Sequence, residues 1–252
     1  MADTLHSVAN RALSPSDEEA IESGATPEHP LTHYQPPFDL LSDMIFVAAL
    51  CPTGPLRQAF PGVPLLSIFG RTPLFMWFSR VKEIRYHDEN REHGVMGGPN
   101  VVLYNELNVV AAMRQRGFFV PGIYATSPLT IQIGRGYYGM PKYSTEMTFQ
   151  VAGQRLTSEE RAGLCHTTLR ARLFTRGMVA GKVLSRLLPL RTWPACLPSG
   201  DSVRALIERT PRAQPAWVRG RLELDEPWLP EAAPLLPFGL YLPDLRMQLP
   251  RP

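Results

Sequence analysis

From Phe38 onward the chain is written in short apolar stretches split by glycine and proline, the pattern of many strands joined by tight connections. Met44 to Leu50, Pro64 to Phe69, Leu74 to Val81, Val101 to Val110, Ile123 to Ala125 and Leu129 to Ile133 each have the length and composition of a strand. Met147-Thr-Phe-Gln-Val151 and Leu169-Arg-Ala-Arg-Leu173 alternate apolar and polar residues, which predicts antiparallel strands with one wet and one buried face. Val203 to Glu208 opens another strand, and Arg219 to Leu224 alternates again. Leu240 to Leu249 ends the chain as a proline-interrupted strand of the kind found at sheet edges. Helical spacing is confined to Met178 to Leu188, where Gly181 weakens it, and to a capping-box pattern at Ser16-Asp-Glu-Glu19. Residues 1–37 are polar and broken by Pro15, Pro27, Pro30, Pro36 and Pro37, so they read as an arm, with 38–252 as a single domain. Many strands, few helices, no repeat and no internal linker predict a mainly β (α+β) domain, built as a barrel.

Composition narrows the function classes. Charged residues are 19% and apolar ones 44% of the 252 residues, which suits a folded globule. Net charge is +3 without lysine clusters or arginine runs interleaved with aromatics, so nucleic-acid binding has no footprint. The longest apolar run, Met44 to Cys51, falls far short of the roughly 18 residues of a membrane span. Met1 to Ser16 has no apolar stretch of the secretory type, and a cytoplasmic location is the expectation. Cys51, Cys165 and Cys196 are odd in number and widely spaced, which argues against a disulfide framework, and no ligand pair of metal-binding spacing occurs. His87 and His93 lie in a charged segment that reads as a solvated loop. Cys165 and His166 are neighbours on a predicted strand and so point to opposite faces. No metal and no cofactor is expected.

Lysine changes this picture by its rarity. Only Lys82, Lys142 and Lys182 stand among 26 basic residues. Lys142 ends the stretch Gly134-Arg-Gly-Tyr-Tyr-Gly-Met-Pro-Lys142, with Met140, Pro141 and Tyr143 around it. An ammonium in such apolar company loses hydration that its neighbours do not replace, which favours the free amine, and a free amine attacks ketones. The alternative is a composition set by coding bias, with Lys142 reaching its charge out to water from an ordinary strand end.

Gly-Arg followed by Gly-Met-Pro-Lys closely resembles a signature of the acetoacetate decarboxylase superfamily, in which the lysine after the proline forms a Schiff base with the substrate ketone. Leu103-Tyr-Asn-Glu106 resembles the family's Tyr-x-Glu strand, and Arg219 to Leu224 with Tyr241 to Pro250 resemble its last core strands. The likeness spans roughly residues 38 to 250. It implies a cone-shaped antiparallel β-barrel that holds the lysine at its closed end and assembles into homo-oligomers. Glu106 then faces inward as the carboxylate that bonds Lys142 or moves its proton; without the resemblance, the wet face of a strand is its ordinary place.

The chain also departs from the family. Tyr143 stands where the decarboxylases often carry a second lysine; that lysine is the cationic neighbour of the activated amine, and Tyr143 is expected to offer a hydroxyl as proton donor instead. Pro73 to Val81 lacks the family's additional carboxylate, Phe38 to Pro55 lacks a basic residue for the substrate carboxylate, and Gly136 replaces the glutamate of Gly-Arg-Glu. What remains is an iminium-forming lysine with aromatic surroundings, which serves aldol, dehydration or cyclisation chemistry on a keto substrate, in specialised metabolism, as well as decarboxylation of a 3-oxo acid. A ligand-binding relative without catalysis is the reading from another class. The predicted substrate contacts are Trp77, Tyr104, Phe119, Tyr138, Met140 and Arg135, with a tie from the Gly-Arg turn to a backbone carbonyl as the other reading of Arg135. The substrate is expected to be larger and greasier than acetoacetate.

Overall fold

The computed structural model describes residues 34–87, 93–98, 100–114, 117–160, 166–174, 192–207 and 213–252. The Ser16–Glu19 pattern, the Met178–Leu188 helix and Cys165 lie outside the described residues.

The described strands join one 13-stranded sheet. Three long strands frame it: β1 (Gln35–Pro52), β2 (Arg71–His87) and β13 (Ala233–Leu249). β1 pairs antiparallel with β2 along one side and with β13 along the other. β2 continues to β4 (Tyr104–Ala112), β4 to β5 (Phe118–Ala125), and β5 to β10 (Thr192–Cys196). From there the sheet runs through β11 (Ser202–Ile207) to β13, then through β12 (Gln214–Leu222), β9 (Thr168–Leu173) and β8 (Arg155–Glu160) to β7 (Met147–Ala152). β3 (His93–Gly97) adds to β2, and β6 (Lys142–Ser144) adds to β5. Pairing is not wholly antiparallel, because β5 runs parallel to both β10 and β6. A parallel neighbour needs a crossover connection, and for β6 that connection is a helix.

That helix is α2 (Pro128–Tyr138), following a short α1 (Thr53–Ala59). It replaces the strand expected over Leu129 to Ile133. Apolar and polar residues do alternate there, but the end signals are helical: Ser127 caps the first turn by accepting from the Thr130 N–H, Pro128 opens the helix, and Gly139 closes it at φ 61°. Buried Thr130, Gly134 and Tyr138 recur at four-residue spacing. Pro64 to Phe69 is likewise no strand, since only isolated bridges at Leu65 and Ile68 form there. Leu103 precedes β4, which begins at Tyr104. β13 is not an edge either, because it pairs with β1, β11 and β12. Its Pro243 is skipped by the register shift between Ser42 and Met44, so the missing N–H breaks no ladder bond there. His87 and His93 face each other across β2 and β3, their rings 4.4 Å apart, rather than lying in a loop.

The sheet buries side chains on two faces. The larger apolar cluster takes Leu74, Met76 and Phe78 of β2, Leu107, Val109 and Ala111 of β4, and Phe119 of β5, together with β7, β9 and β12 side chains. The opposite face of the same central strands carries Tyr104, Val110, Val120 and Ile123, against which α2 and the end of β13 pack. The candidate site lies on this second face.

Candidate active site

Alternation along β4 sends Tyr104, Glu106 and Asn108 to one side while Leu107 and Val109 enter the main core. On the other side of β5, the chain leaves α2 through a tight turn. The Met140 N–H donates to the Gly134 carbonyl at 3.1 Å, and the Ile123 N–H donates to the Pro141 carbonyl at 2.9 Å. Lys142 is thereby set in register with Ile123 and presented from a fixed backbone. Arg135 clamps the same residue, donating from both Nε, at 2.8 Å, and Nη2 to the Lys142 carbonyl.

The lysine stem lies against α2 at Gly134. A Cβ there would come within 2.6 Å of Lys142 Cδ and 2.9 Å of Cε, so the side chain occupies space that only glycine leaves free. Lys142 is 7% exposed, and its Nζ donates to Glu106 Oε2 at 2.5 Å. Glu106 is 6% exposed, and its other oxygen, Oε1, accepts from Asn108 Nδ2 at 2.7 Å. The amine also stands 5.9 Å from the centre of the Tyr104 ring, within cation–π reach. Two opposite charges taken out of water stay tolerable only when paired and hydrogen-bonded, and here both conditions are met.

In front of this pair is a cavity of about 100 Å³. Trp77, Ile84, Val120 and Ile133 contribute to its walls, and Leu249 from the far end of the chain contributes as well. Burial, and secondarily the nearby Glu106, push the Tyr104 hydroxyl well above the usual phenol range. Tyr138 is also pushed up by burial, and its hydroxyl donates to the carbonyls of Leu249 and Pro250 at 3.3 and 3.0 Å. Both phenols therefore keep their protons at neutral pH. The arrangement offers a lysine amino group, one carboxylate and an amide in an otherwise largely apolar space.

Of the residues singled out from the sequence, the structure brings Lys142, Glu106, Trp77, Tyr104, Tyr138 and Met140 to this cavity. Three others it does not. Tyr143 follows Lys142 on β6 and turns to the opposite face, where it packs on the main core with its ring 5.5 Å from that of Tyr124. It cannot donate a proton to the site. Phe119 is fully buried in the same core, 4.8 Å from the Phe60 ring. Arg135 does not line the cavity and bonds the Lys142 carbonyl through Nε and Nη2, the structural one of its two readings. The cavity is apolar as expected but not large: a 150 Å³ apolar cavity takes benzene, so the part of a substrate held here is small.

Sequence reasoning missed Asn108, although it continues the Tyr104-x-Glu106 alternation by one more step. It also missed Gly134, visible only as the first glycine of the Gly-Arg motif. Nothing local marks Val203, Met247 or Leu249, which reach the cavity from distant strands. Among the described residues no cluster of three or more metal-binding side chains occurs, and no helix is long and apolar enough to cross a membrane.

No family model matches the chain, and no curated protein matches it by sequence. Solved structures do. An acetoacetate decarboxylase from Legionella pneumophila subsp. pneumophila str. Philadelphia 1 superposes with a TM-score of 0.56 at 18% identity, over 96% of this chain and 95% of that one. A further acetoacetate decarboxylase gives 0.57 at 15% identity, over 97% and 94%. The enduracididine biosynthesis enzyme MppR, complexed with the condensation product of pyruvate and imidazole 4-carboxaldehyde, gives 0.54 at 10% identity, over 85% and 87%. The chain shares the fold of acetoacetate decarboxylases.

Proposed function

We propose that this protein is a Schiff-base-forming enzyme in which Lys142 condenses with the carbonyl group of a keto substrate. The observation that carries the reading is the 2.5 Å contact between Lys142 Nζ and Glu106 Oε2 at an apolar cavity. Glu106 is placed to take the ammonium proton, which frees the lone pair for attack. It can then return that proton to the departing oxygen, so that water leaves and an iminium remains. The iminium stabilises a carbanion-like centre on the next carbon as an enamine, and aldol, dehydration or cyclisation chemistry follows from it. The reaction class is that of a lyase, with specialised metabolism as the setting.

The shared fold supports this reading without fixing the reaction. Structures of that fold include two acetoacetate decarboxylases and an enzyme holding a condensation product of pyruvate and an aldehyde. The additional β1–β13 pairing supports viewing the sheet as the cone-shaped barrel of that fold. A cytoplasmic homo-oligomer that needs no metal or cofactor completes the proposal.

Borohydride reduction in the presence of candidate ketones, followed by intact mass, tests it. One covalent adduct per chain is expected, lost in Lys142→Ala. Absence of any adduct across a panel of ketones and aldehydes would favour the ligand-binding relative. Decarboxylation of a 3-oxo acid, favoured by the fold, is the second reading; carbon dioxide release from acetoacetate at a few per second, typical of an enzyme on its own substrate, would put it first.

A further inference from the structure

We infer that the cavity takes an uncharged ketone or aldehyde, and that Glu106, held by Asn108, generates the enamine by removing a proton from the carbon beside the carbonyl. This rests on the Schiff-base reading and specifies its substrate class and its proton carrier.

Charge is the first ground. Among the described residues lining the cavity, Lys142 and Glu106 are the charged pair, and they cancel. Several cations close by are already committed: Arg135 is bonded to the Lys142 carbonyl, Arg80 and Lys82 to buried Asp43, Arg85 to Glu83 and Arg251 to the Pro36 carbonyl. A carboxylate on the substrate would therefore bring an uncompensated negative charge into an apolar space, beside the carboxylate of Glu106. An uncharged carbonyl compound avoids this at every step. Lys–NH₃⁺ and Glu–COO⁻ become Lys–NH₂ and Glu–COOH as the proton crosses. The amine adds to the carbonyl carbon and passes one of its own protons to the oxygen; the Glu106 proton is the second, the oxygen leaves as water, and the iminium again faces a carboxylate. Glu106 then takes the neighbouring C–H proton, the electron pair of that bond forms the C=C bond, and the iminium nitrogen becomes neutral. The net charge of the cavity is zero throughout, and the electron pair comes from a C–H bond rather than from a bond to carbon dioxide.

Geometry is the second ground. Asn108 is 5% exposed and donates to Glu106 Oε1 at 2.7 Å, while the lysine occupies Oε2. The iminium keeps one N–H where the ammonium had three, so fewer donors are open to Oε2 while Oε1 keeps Asn108. The basic lone pair is thus kept on the oxygen that faces the nitrogen and the carbon bound to it. Asn108 acts through Glu106 and is a positioning residue. Size agrees: a cavity of about 100 Å³, against the 150 Å³ that holds benzene, accepts roughly four to six non-hydrogen atoms.

The test uses the full chain with acetone, butanone, pyruvate and acetoacetate. Borohydride trapping is read by intact mass, and exchange of the protons beside the carbonyl is read by NMR in D₂O. Acetone and butanone are expected to trap and exchange at least about tenfold faster than pyruvate, with both signals lost in Lys142→Ala. Asn108→Leu is expected to keep the adduct while proton exchange falls by about tenfold or more. Asn108→Ala gives the same contrast should the leucine variant fail to fold. Trapping of pyruvate as fast as the ketones, or an isopropyl adduct forming faster from acetoacetate than from acetone, would overturn the substrate class while leaving the Schiff base intact. Wild-type exchange in the Asn108 variants would overturn the positioning role. Failure of every carbonyl compound to form an adduct would remove the Schiff-base reading itself.

Discussion

Lys82 and Lys142 are both buried and both ion-paired, yet they are built for different ends. Lys82 donates to Asp43 at 2.9 Å and to Asp244 at 2.6 Å, and Arg80 adds a second cation to Asp43. Asp244 sits at φ 52° where β13 skips register, and its own N–H donates to Asp43 Oδ1 at 3.0 Å. This lysine ties β1, β2 and β13 together, and it does not line the cavity. Burial works against its charge, but the two carboxylates outweigh burial and hold it above the ordinary lysine value. Lys142 has a single carboxylate, a stem slotted against a glycine and a cavity ahead of its amine. Two carboxylates hold Lys82 as a tie between strands, whereas Lys142, paired with one carboxylate beside open apolar space, has the surroundings that the proposed Schiff-base role requires.

The sharpest way to break the comparison is to remove each amine in turn. Lys142→Met is expected to abolish borohydride trapping, whereas Lys82→Met should retain it. If the Lys82 variant also fails to trap while folded, the two sites are not separate in function. Glu106→Gln keeps shape and loses the proton carrier, so exchange of the protons beside the carbonyl, in a ketone that the wild type traps, should fall by about 10²–10⁴. Loss of less than tenfold in steady-state exchange would remove Glu106 from that role.

Stability should rank the two lysines the other way. Lys82→Met takes one cation from Asp43, which keeps Arg80 and the Asp244 N–H, and leaves half-exposed Asp244 without its lysine, so the cost should not exceed about 3 kcal/mol, the low end for a broken buried pair. For a domain of this size that corresponds to at most about 6–12 °C in Tm. An unchanged melting curve would show that the network holds nothing together.

The same network sets a pH window. Burial raises the Asp43 pKa, but the Asp244 N–H, Lys82 and Arg80 together bring it below the ordinary 3.8. Its stabilisation is present above that value and is lost as pH falls through the lower folded value. Lys82, raised above 10.5, contributes below that value and loses the contribution as pH rises through its folded pKa. A plateau between these limits is expected for the wild type, and Lys82→Met should lower it; denaturant midpoints across pH read both.

The smallest effect should come from Gly134→Ala. Its methyl group would press on Lys142 Cδ, and because that stem can shift, trapping should slow by a factor on the order of ten, about 1.4 kcal/mol, with little change in melting. An unaffected trapping rate would mean that the slot does not aim the amine.

Much of the site was legible before any coordinates. Alternation of side chains along a strand is a property of the backbone, so Tyr104, Glu106 and Asn108 had to share a face. Pro141 fixes its own φ and restricts Met140, which defines how Lys142 is presented. The α2 signals, Ser127, Pro128 and Gly139, were also present, although alternation over Leu129 to Ile133 concealed them. What the sequence could not decide was which face of a central strand looks into the cavity. β5 is buried on both sides by apolar residues, so polarity does not distinguish its sides; Phe119 fell to the main core and Val120 to the cavity, and on β6 Tyr143 took the core side and Lys142 the cavity. Only the tertiary structure settles that, because the face is chosen by what packs against it from far away: α2 across β5, and Met247 and Leu249 from the other end of the chain.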